Sequence, residues 1–401
     1  MPDKNLTICK YSGYPVILII ISLFIQVSCR EIRQDDSAED SIDEVNTLMF
    51  YTGSFAGEDD PGIHLFEYEI LTGEFNKIQK LTGQINPSFL AVDSEAGFLF
   101  AVNTTASYDD ENSGSVAAFA IDETSGKLSF INRQSSRGSN PCHISIIAEG
   151  KFVAVANYMG GSVSVLPVQE DGSLQPASGF VQHQGRGPHE RRQTAPHAHS
   201  IYPVIDGPWV MAADLGIDKV LIYRVDNEGN LVPGSVTPSA VMEPGAGPRH
   251  IAFHPNGNWI YVLNELNSTV TRLLFDSDSG KAEVMESTST LPVGYEEENL
   301  CADIHVHPGG RFLYASNRGH NSIAIFELDS EGVPVMIGLE PVRGERPRNF
   351  SIDPSGNFIF VANKTTGNIT VFKIDNKTGL LDFTGSNLEV SSPVCIKFLS
   401  R

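Results

Sequence analysis

The chain has 401 residues, 49 acidic and 28 basic, so its formal net charge is −21 at pH 7. A hydrophobic content of 41% with 19% charged residues is typical of a globular protein and argues against a disordered chain or a membrane bundle. The acidic balance argues against nucleic acid and anionic membrane surfaces as partners, because both attract Lys and Arg and repel carboxylates. The 36 glycines and 23 prolines predict many turns.

Residues 1–28 have the pattern of a targeting segment. Their apolar run over 16–27 is too short to span a bilayer as a helix, but it suits the core of a signal peptide. Cys29 follows directly, and the junction resembles the end of a bacterial lipoprotein signal, where the cysteine is lipidated. The pattern predicts an exported lipoprotein of the bacterial cell envelope, in the periplasm or at the outer membrane. An ordinary signal peptide, an uncleaved anchor and a cytoplasmic protein without a functional signal are the alternatives.

Residues 29–46 are polar and acidic, which predicts a flexible tether. The cysteines beyond Cys29 predict no cross-link, because Cys142, Cys301 and Cys395 are far apart and form no C-x-x-C pair. Their spacing supports neither a disulfide framework nor a zinc site.

The rest of the chain contains an internal repeat. Its copies share a plan of an alternating apolar strand, usually after a proline, a short turn and a second apolar strand that ends in Asn or Asp. Six copies are Asn86–Asn103, Asn140–Asn157, Ala195–Asp214, Gly247–Asn264, Cys301–Asn317 and Arg346–Asn363. Two more strands fit between consecutive copies. Four strands in a unit of about 50 residues are typical of a β-propeller blade.

A seventh blade is divided between the two ends of the chain. Leu48–Ser54 lies one period before Asn103 and supplies a second strand, and Ser392–Leu399 supplies the missing first strand. The sequence therefore predicts an all-β, seven-bladed propeller as a single domain over 47–401. The C-terminal strand joins the N-terminal blade and closes the ring, which removes the exposed sheet edges. A repeat of two-sheet sandwiches is the alternative.

Corresponding positions of the blades can be compared with one another, because the first strand of each blade lines the central channel. Three sets of equivalent positions, called columns below, are informative: the first and the second residue after the repeat proline, and the residue after the closing Asn or Asp. A column with a purely structural role would hold small or apolar residues in every blade. These three columns instead contain ionisable residues in several blades. These residues are His143, His197, Arg249, His250, Glu265, Asp303, Arg318, Arg348 and Lys364. Ion pairing or a ligand is expected at this mouth of the channel. In this comparison His197 corresponds to Arg249.

The segment 185–199 holds three arginines and ends in two histidines at the start of the third copy. His197 and His199 are two residues apart, as are side chains on one face of a strand, so they are predicted to point the same way. Arg186, Arg191 and Arg192 are expected either to reach the mouth or to lie on a solvated loop.

Four motifs carry a family resemblance: Pro196–Ser200, Gly247–His250, Asn264–Glu265 and Asp303–Gly319. Together they resemble the propeller-type lactonase family, which includes bacterial propeller 6-phosphogluconolactonases and the fungal carboxy-muconate lactonizing enzyme. The resemblance extends from about residue 48 to 400. It implies a sugar-lactone hydrolase or a cycloisomerase with no cofactor and no required metal.

The resemblance also implies a catalytic cluster at the channel mouth. Its members are His199, with His197 as the alternative, Arg249, Glu265 and Arg318. The candidate substrate-binding residues are His197, His250, Asp303, Arg348 and Arg192.

Lactone hydrolysis needs an activated water and a group that stabilises charge on the carbonyl oxygen. Glu265 or one of the two histidines could accept the water proton, and Arg249 or Arg318 could hold the oxyanion. Arginine also suits a phosphate or carboxylate on the substrate. The chain contains no Gly-x-Ser-x-Gly elbow, so a serine nucleophile is not indicated.

Structural roles compete with these assignments. Glu265 and Arg249 could simply pair with each other across two strands. Asp303, His305 and His307 could form a metal site, but we expect His307, like His254 at the equivalent position, to bond a turn in its blade.

The preferred hypothesis is a lactone hydrolase that resembles 6-phosphogluconolactonase and opens a sugar δ-lactone, with or without a 6-phosphate, in carbohydrate metabolism. A muconate-type cycloisomerase and a non-catalytic propeller that binds carbohydrate or protein are the alternatives. The expected partner is a small sugar lactone, without nucleic acid, and a membrane is contacted only through the lipid anchor. A monomer is expected.

Overall fold

The computed structural model of the chain describes residues 46–205 and 207–400. The predicted signal segment, Cys29 and residues 29–45 of the predicted tether lie outside these ranges. Within them the chain forms 29 β-strands and one short 3₁₀ helix, Leu215–Ile217. No helix in the described part is long and apolar enough to cross a bilayer.

The strands follow one another closely along the chain. They are β1 (Thr47–Ser54), β2 (Ile63–Glu69), β3 (Phe75–Leu81), β4 (Phe89–Asp93), β5 (Phe98–Asn103), β6 (Ser115–Ile121), β7 (Leu128–Ser135), β8 (Pro141–Ile147), β9 (Phe152–Asn157), β10 (Ser162–Pro167), β11 (Gly179–Gln182), β12 (Ala198–Pro203), β13 (Trp209–Asp214), β14 (Lys219–Val225), β15 (Leu231–Pro233), β16 (Ser239–Val241), β17 (Pro248–Phe253), β18 (Trp259–Asn264), β19 (Thr269–Asp276), β20 (Lys281–Ser289), β21 (Cys301–Val306), β22 (Phe312–Asn317), β23 (Ser322–Leu328), β24 (Pro334–Pro341), β25 (Pro347–Ile352), β26 (Phe358–Asn363), β27 (Asn368–Ile374), β28 (Leu381–Glu389) and β29 (Pro393–Leu399).

These strands form seven antiparallel sheets, one for each blade. Blade 1 has the order β29-β1-β2-β3, and blades 2 to 7 begin with β4, β8, β12, β17, β21 and β25. Each of these first strands, with β29, contacts the first strands of the two neighbouring blades, so the seven form a closed ring. The prediction of a seven-bladed propeller is confirmed.

The ring is closed by the pairing of β29 with β1. Their antiparallel register runs from Met49 opposite Leu399 to Ser54 opposite Pro393. Because β1 also pairs with β2, the two ends of the chain share one sheet. The predicted closure by the C-terminal strand is confirmed.

The core lies between the blades. The second strands β9, β13, β22 and β26 are buried along their whole length, because both faces of a blade pack against its neighbours. Between blades 7 and 1, for example, Phe50 contacts Phe360 edge to face at a centroid distance of 5.2 Å, and Tyr68 does so at 5.1 Å. This two-sided burial explains why the repeat has continuous apolar runs at these strands.

Five of the six closing Asn and Asp residues bond the blade before their own, and Asn264 instead bonds Thr269 and Thr271 within its own blade. Asn317 Nδ2 donates to the carbonyl of Thr290, 2.9 Å away, and Asn157 Nδ2 to that of Ser136, 3.1 Å away. In blade 4 the same place is taken by Asp214, which pairs with His183 at 2.6 Å. In these blades the column is therefore structural, because its side chains bond groups of the preceding blade.

Blade 4 departs from the four-stranded plan. Both β15 and β16 pair with β14, so its outer strand is split into two short pieces. Pro233 and Pro238 flank the gap, and proline has no N–H to donate to a ladder, which accounts for the interruption.

The strand histidines proposed as turn residues have that role. His254 Nε2 donates to the carbonyl of Gly310 at 2.8 Å, and His307 Nε2 to that of Gly356 at 2.9 Å. Each of these bonds ties the histidine to the turn of the following blade. The predicted bond to the turn of its own blade is made by Nδ1, which accepts from the N–H of Asn256 in the case of His254 and from that of Gly309 in the case of His307.

Candidate functional site

A β-bulge recurs at the start of the inner strands, and the side chains of the bulge residues face the mouth of the channel. In blade 5, Pro248 pairs with Asn264 and His250 with Leu263, so Arg249 has no partner residue and lies outside the ladder. The same register shift singles out further residues, and Ser88 has the corresponding place just before β4. The bulge residues are Cys142, His199, Arg249, Ala302, Arg348 and Val394. A bulge turns its side chain away from the regular alternation, here toward the mouth.

This register corrects the column comparison in blade 4. Ala198 pairs with Asp214 as Pro248 pairs with Asn264, so His199, not His197, corresponds to Arg249. The bulge also breaks the alternation that predicted one direction for both histidines. His197 Nδ1 donates to the carbonyl of Tyr158 at 3.0 Å, and its ring stacks on that of Tyr158 at 4.6 Å.

A cleft of about 430 Å³ opens at this mouth. It is lined by five of the predicted site residues, namely Arg192, His199, Glu265, Arg318 and Arg348. Arg249 and His250 line a narrow space that shares Ser88, Cys142 and Arg348 with the cleft. His197 and Asp303 do not line either of them.

Glu265 is the centre of the charged cluster, although only 3% of its surface is exposed. Its Oε1 lies 2.6 Å from Arg192 Nη2, and its Oε2 lies 3.0 Å from Arg249 Nε and 2.7 Å from Arg318 Nη2. Burial alone would raise the pKa of Glu265, but Arg318, Arg249 and Arg192 outweigh it and hold the pKa well below its ordinary value. Glu265 is thus a permanent anion and a poor acceptor for a water proton.

Two of the arginines are fixed by backbone carbonyls as well as by Glu265. Arg249 Nη1 donates to the carbonyl of Ala302, and Arg318 Nη2 donates to that of Cys301 at 2.8 Å. Pairing between Glu265 and Arg249 alone, the structural alternative, therefore describes only part of a larger cluster.

Arg192 reaches the cleft from the loop before β12. Its Nη2 also donates to the hydroxyl of Tyr158 at 3.2 Å. The next residue, Gln193, is fully buried and anchors the loop through bonds to the Leu215 carbonyl and to Asp218 Oδ1. Arg186 and Arg191 are exposed, so of the three arginines only Arg192 has the predicted position at the mouth.

His199 is a buried, neutral imidazole beside these charges. Its Nε2 lies 3.9 Å from Glu265 Oε2, and its Nδ1 lies 3.8 Å from Cys142 Sγ. Burial, followed by the positive charges of Arg249 and its neighbours, lowers the pKa of His199 well below 6.5. Burial also raises the pKa of the Cys142 thiol to about 12. At neutral pH, His199 can accept a proton, whereas Cys142 is not a thiolate nucleophile.

Two predicted substrate-binding residues form a closed network next to the cleft. His250 Nδ1 donates to Asp303 Oδ1 at 2.6 Å, and Asp303 Oδ2 accepts from His305 Nε2 at 3.2 Å and from Asn349. Burial raises the pKa of Asp303, but His305 and His250 outweigh it and hold the pKa well below 3.8. The structure therefore satisfies Asp303 internally and does not present it to the cleft.

Phe55 is the main cleft residue that the sequence comparison missed. Ser54 pairs with Pro393 as Asn264 pairs with Pro248, so Phe55 corresponds to Glu265 in the first blade. The column stopped at six blades because blade 1 has serine where the others have Asn or Asp. Extending the column to Ser54 would have found Phe55. The other lining residues not proposed as site residues are Ser88, Thr104, Asn140, Cys142, Tyr158, Met159 and Leu300.

The mouth carries a positive charge on an otherwise acidic protein. Arg192, Arg249, Arg318 and Arg348 face the single carboxylate of Glu265, which leaves a formal charge of +3 against a chain total of −21. Such a site attracts anions and stabilises negative charge that develops during a reaction.

Comparison with known proteins agrees with this architecture. The sequence model of a family described as "Lactonase, 7-bladed beta-propeller" matches residues 49–398. The chain belongs to this lactonase family. A relative named 6-phosphogluconolactonase from Bacillus subtilis (strain 168) is 37% identical over 353 residues, which cover 88% of this chain and 98% of that protein.

Solved structures of lactonase relatives have the same fold. A putative 6-phosphogluconolactonase from Bacteroides fragilis NCTC 9343 is 33% identical, with a TM-score of 0.81 over 91% of this chain and 100% of its own. A periplasmic gluconolactonase from Pseudomonas aeruginosa is 28% identical, with a TM-score of 0.82 over 88% of this chain and 99% of its own.

Proposed function

We propose that the protein is a lactonase that hydrolyses a sugar δ-lactone, phosphorylated or unphosphorylated, to the open-chain acid in the arginine-rich cleft. The observation that carries the proposal is the juxtaposition of a neutral imidazole, His199, with arginines whose positions are fixed by Glu265 and by backbone carbonyls. The names of the relatives, 6-phosphogluconolactonase and gluconolactonase, support the same reaction class.

In this proposal His199 is the general base and Glu265 is a positioning residue. Water attacks the lactone carbonyl carbon and gives a proton to His199, an effect worth about 10²–10⁴-fold. Guanidinium N–H groups at the cleft bind the resulting oxyanion, and one such donor contributes about 3 kcal/mol. The bond to the ring oxygen then breaks, and that oxygen takes the proton back from His199. The product acid ionises at ordinary pH, and its carboxylate is attracted to the same arginines.

The test is acid release from δ-gluconolactone and from its 6-phosphate, corrected for the spontaneous reaction. His199→Gln removes the base from the cleft and is therefore expected to lower kcat by 100-fold or more. The free energy of unfolding is expected to stay the same. His197→Gln is the matched substitution outside the cleft and is expected to have a much smaller effect. Equal losses in the two variants would contradict the assignment of His199.

Glu265→Gln separates the two candidate bases. It leaves the buried arginines without their shared anion, so both activity and the free energy of unfolding should fall, the latter by about 3–5 kcal/mol. Loss of activity with unchanged stability would instead favour Glu265 as the base. Absence of acid release from either lactone would contradict the lactonase proposal and favour a binding propeller.

We also propose that the protein acts in the cell envelope, anchored through Cys29. The apolar run before Cys29 supports this, as does the periplasmic relative from Pseudomonas aeruginosa. Metabolic labelling with a fatty acid should mark the wild-type protein and not Cys29→Ala. Label that persists in the variant would contradict lipidation at this residue.

A further inference from the structure

Arg348 is the cleft arginine that forms no ion pair with Glu265. It is the bulge residue of blade 7 and lines both the cleft and the narrow space beside it. Among residues 46–205 and 207–400, its side chain has no ion pair and no hydrogen bond, unlike those of Arg192, Arg249 and Arg318. The ring of Phe55, 5.6 Å away, is its aromatic contact.

The environment of Arg348 is unfavourable for a cation. Burial, followed by the charges of Arg249 and Arg318, lowers the pKa of Arg348 to about 9, so it remains charged at neutral pH. A partly buried cation that faces other cations costs free energy unless an anion joins it. The three other arginines share Glu265, and Arg348 has no such partner among the described residues.

Lys364 is a second cation beside Phe55, although it does not itself line the cleft. It follows the closing residue Asn363 of blade 7, and its Nζ lies 5.0 Å from the centre of the Phe55 ring. Burial, Arg348 and Arg318 lower its pKa, and among the described residues it too has no ion pair. Phe55 therefore contacts both cations, and a cation–π interaction with each holds them against one ring.

We propose that Arg348 and Lys364, held against Phe55, form an anion subsite that binds a phosphate or carboxylate substituent of the lactone. The inference rests on the lactonase function proposed above and assigns its substrate selectivity to blade 7 and Phe55. The guanidinium fork of Arg348 can bind two oxygens of either group, while Lys364 supplies a point charge. The arginines that share Glu265 remain available to the reacting carbonyl.

In this arrangement the preference for charged lactones arises from substrate binding and not from the chemical step. The subsite holds a substituent that does not react, so its loss should raise KM for charged lactones and leave kcat nearly unchanged. A lactone without a charged substituent should be affected far less. The ratio of kcat/KM for charged and uncharged lactones is therefore the quantity to measure.

The experiment compares δ-gluconolactone, its 6-phosphate and the δ-lactone that carries a carboxylate at C6, using the full chain. Arg348→Gln is expected to lower kcat/KM by about 10- to 100-fold for the charged lactones and by less than about 3-fold for the uncharged one. Lys364→Gln should act in the same direction with a smaller effect. The two charged substrates decide whether phosphate or carboxylate is preferred.

Lys373→Gln is the matched control. It removes a positive charge from the same blade, at an exposed position on β27, and should leave the ratio at its wild-type value. Equal losses for charged and uncharged lactones in Arg348→Gln, or no loss for either charged lactone, would overturn the proposal.

Binding of inorganic phosphate, measured by calorimetry, tests the subsite independently of turnover. Wild type should bind phosphate, and Arg348→Gln should weaken that binding by about 10-fold or more. If wild type hydrolyses no lactone, the proposed function fails while this measurement still decides the subsite. Phosphate affinity that is the same in wild type and Arg348→Gln would overturn the subsite even in an active lactonase.

Discussion

At the scale of single residues, the site separates two kinds of ionisable group. Glu265 is held as an anion by three arginines, whereas His199 is held neutral by burial and by Arg249. A low pKa makes a carboxylate charged and an imidazole uncharged, so both groups are in the proton-accepting form. The choice between them therefore rests on geometry: arginines bind both carboxylate oxygens of Glu265, whereas within the described residues no guanidinium bonds the ring of His199.

The neutral state of His199 predicts an unusual pH profile. A base must be unprotonated, and the pKa of His199 lies well below 6.5, so its neutral form persists as the pH falls through 6.5. We expect kcat/KM for an uncharged lactone, after subtraction of the spontaneous reaction, to stay level between pH 7.5 and about 6. An acidic limb centred at 6.5 or above would contradict a buried, neutral His199.

At the scale of elements, the bulges and the closing Asn residues divide the work within each blade. The bulge residue leaves the ladder and turns into the mouth, while the closing residue, as in the case of Asn317, binds the preceding blade. A blade of this kind can therefore change its bulge residue without disturbing the contact with its neighbour. This separation explains why His, Arg, Cys and Val occupy equivalent places.

The closing residues should matter for stability more than their small size suggests. Asn317 accepts hydrogen bonds from Thr290 and Asn299 and donates to the Thr290 carbonyl. Asn317→Leu removes these buried bonds and takes the side-chain donor from the Thr290 carbonyl, whereas Thr290 and Asn299 keep bonds to Ser268. We therefore expect the free energy of unfolding to fall by about 1–3 kcal/mol in urea titrations. The exposed Asn376→Ala serves as the control and should stay within about 0.5 kcal/mol of wild type.

At the scale of the whole molecule, the ring gathers charge from distant parts of the chain. Phe55 near one end and Lys364 near the other contact each other only because β29 closes the circle. Because the rest of the protein is acidic, anionic ligands are attracted to the cationic mouth and repelled elsewhere on the surface.

Several buried histidines should make the protein sensitive to acid. The pKa values of His64 and His250 are lowered to about 4, in both cases mainly by burial. Between pH 6.5 and 5 the unfolded chain binds protons at these histidines and the folded chain does not, so stability falls as the pH falls. His250 alone would contribute about 2 kcal/mol over this interval. Buried carboxylates such as Asp303 act in the same direction only below their ordinary pKa.

Urea unfolding at pH 7 and pH 5 measures this effect. The midpoint should be lower at pH 5, and His64→Gln should reduce the difference because one of the titrating groups is gone. A urea midpoint at pH 5 that is equal to or higher than the midpoint at pH 7 would show that these histidines titrate normally in the folded protein.

The amino-acid sequence by itself determined the architecture. The repeat with closing residues from Asn103 to Asn363 predicts the blades, and the unpaired segments at 48–54 and 392–399 predict the closure. The blades can be predicted because each one is a local unit: its hydrophobic pattern, its turns and its length belong to one stretch of consecutive residues. The positions of Arg249, Glu265 and Arg318 followed from the same periodicity.

Only the tertiary structure decided which of the candidate side chains share the cleft. A one-residue bulge shifts the register in blade 4 and places His199, not His197, beside Glu265. Ring closure brings Phe55 to Arg348 and Lys364, and packing inside the channel ties Asp303 to His250 and His305. Strand register and contacts between blades depend on groups far apart in the chain, and a periodic pattern read along the chain does not record them.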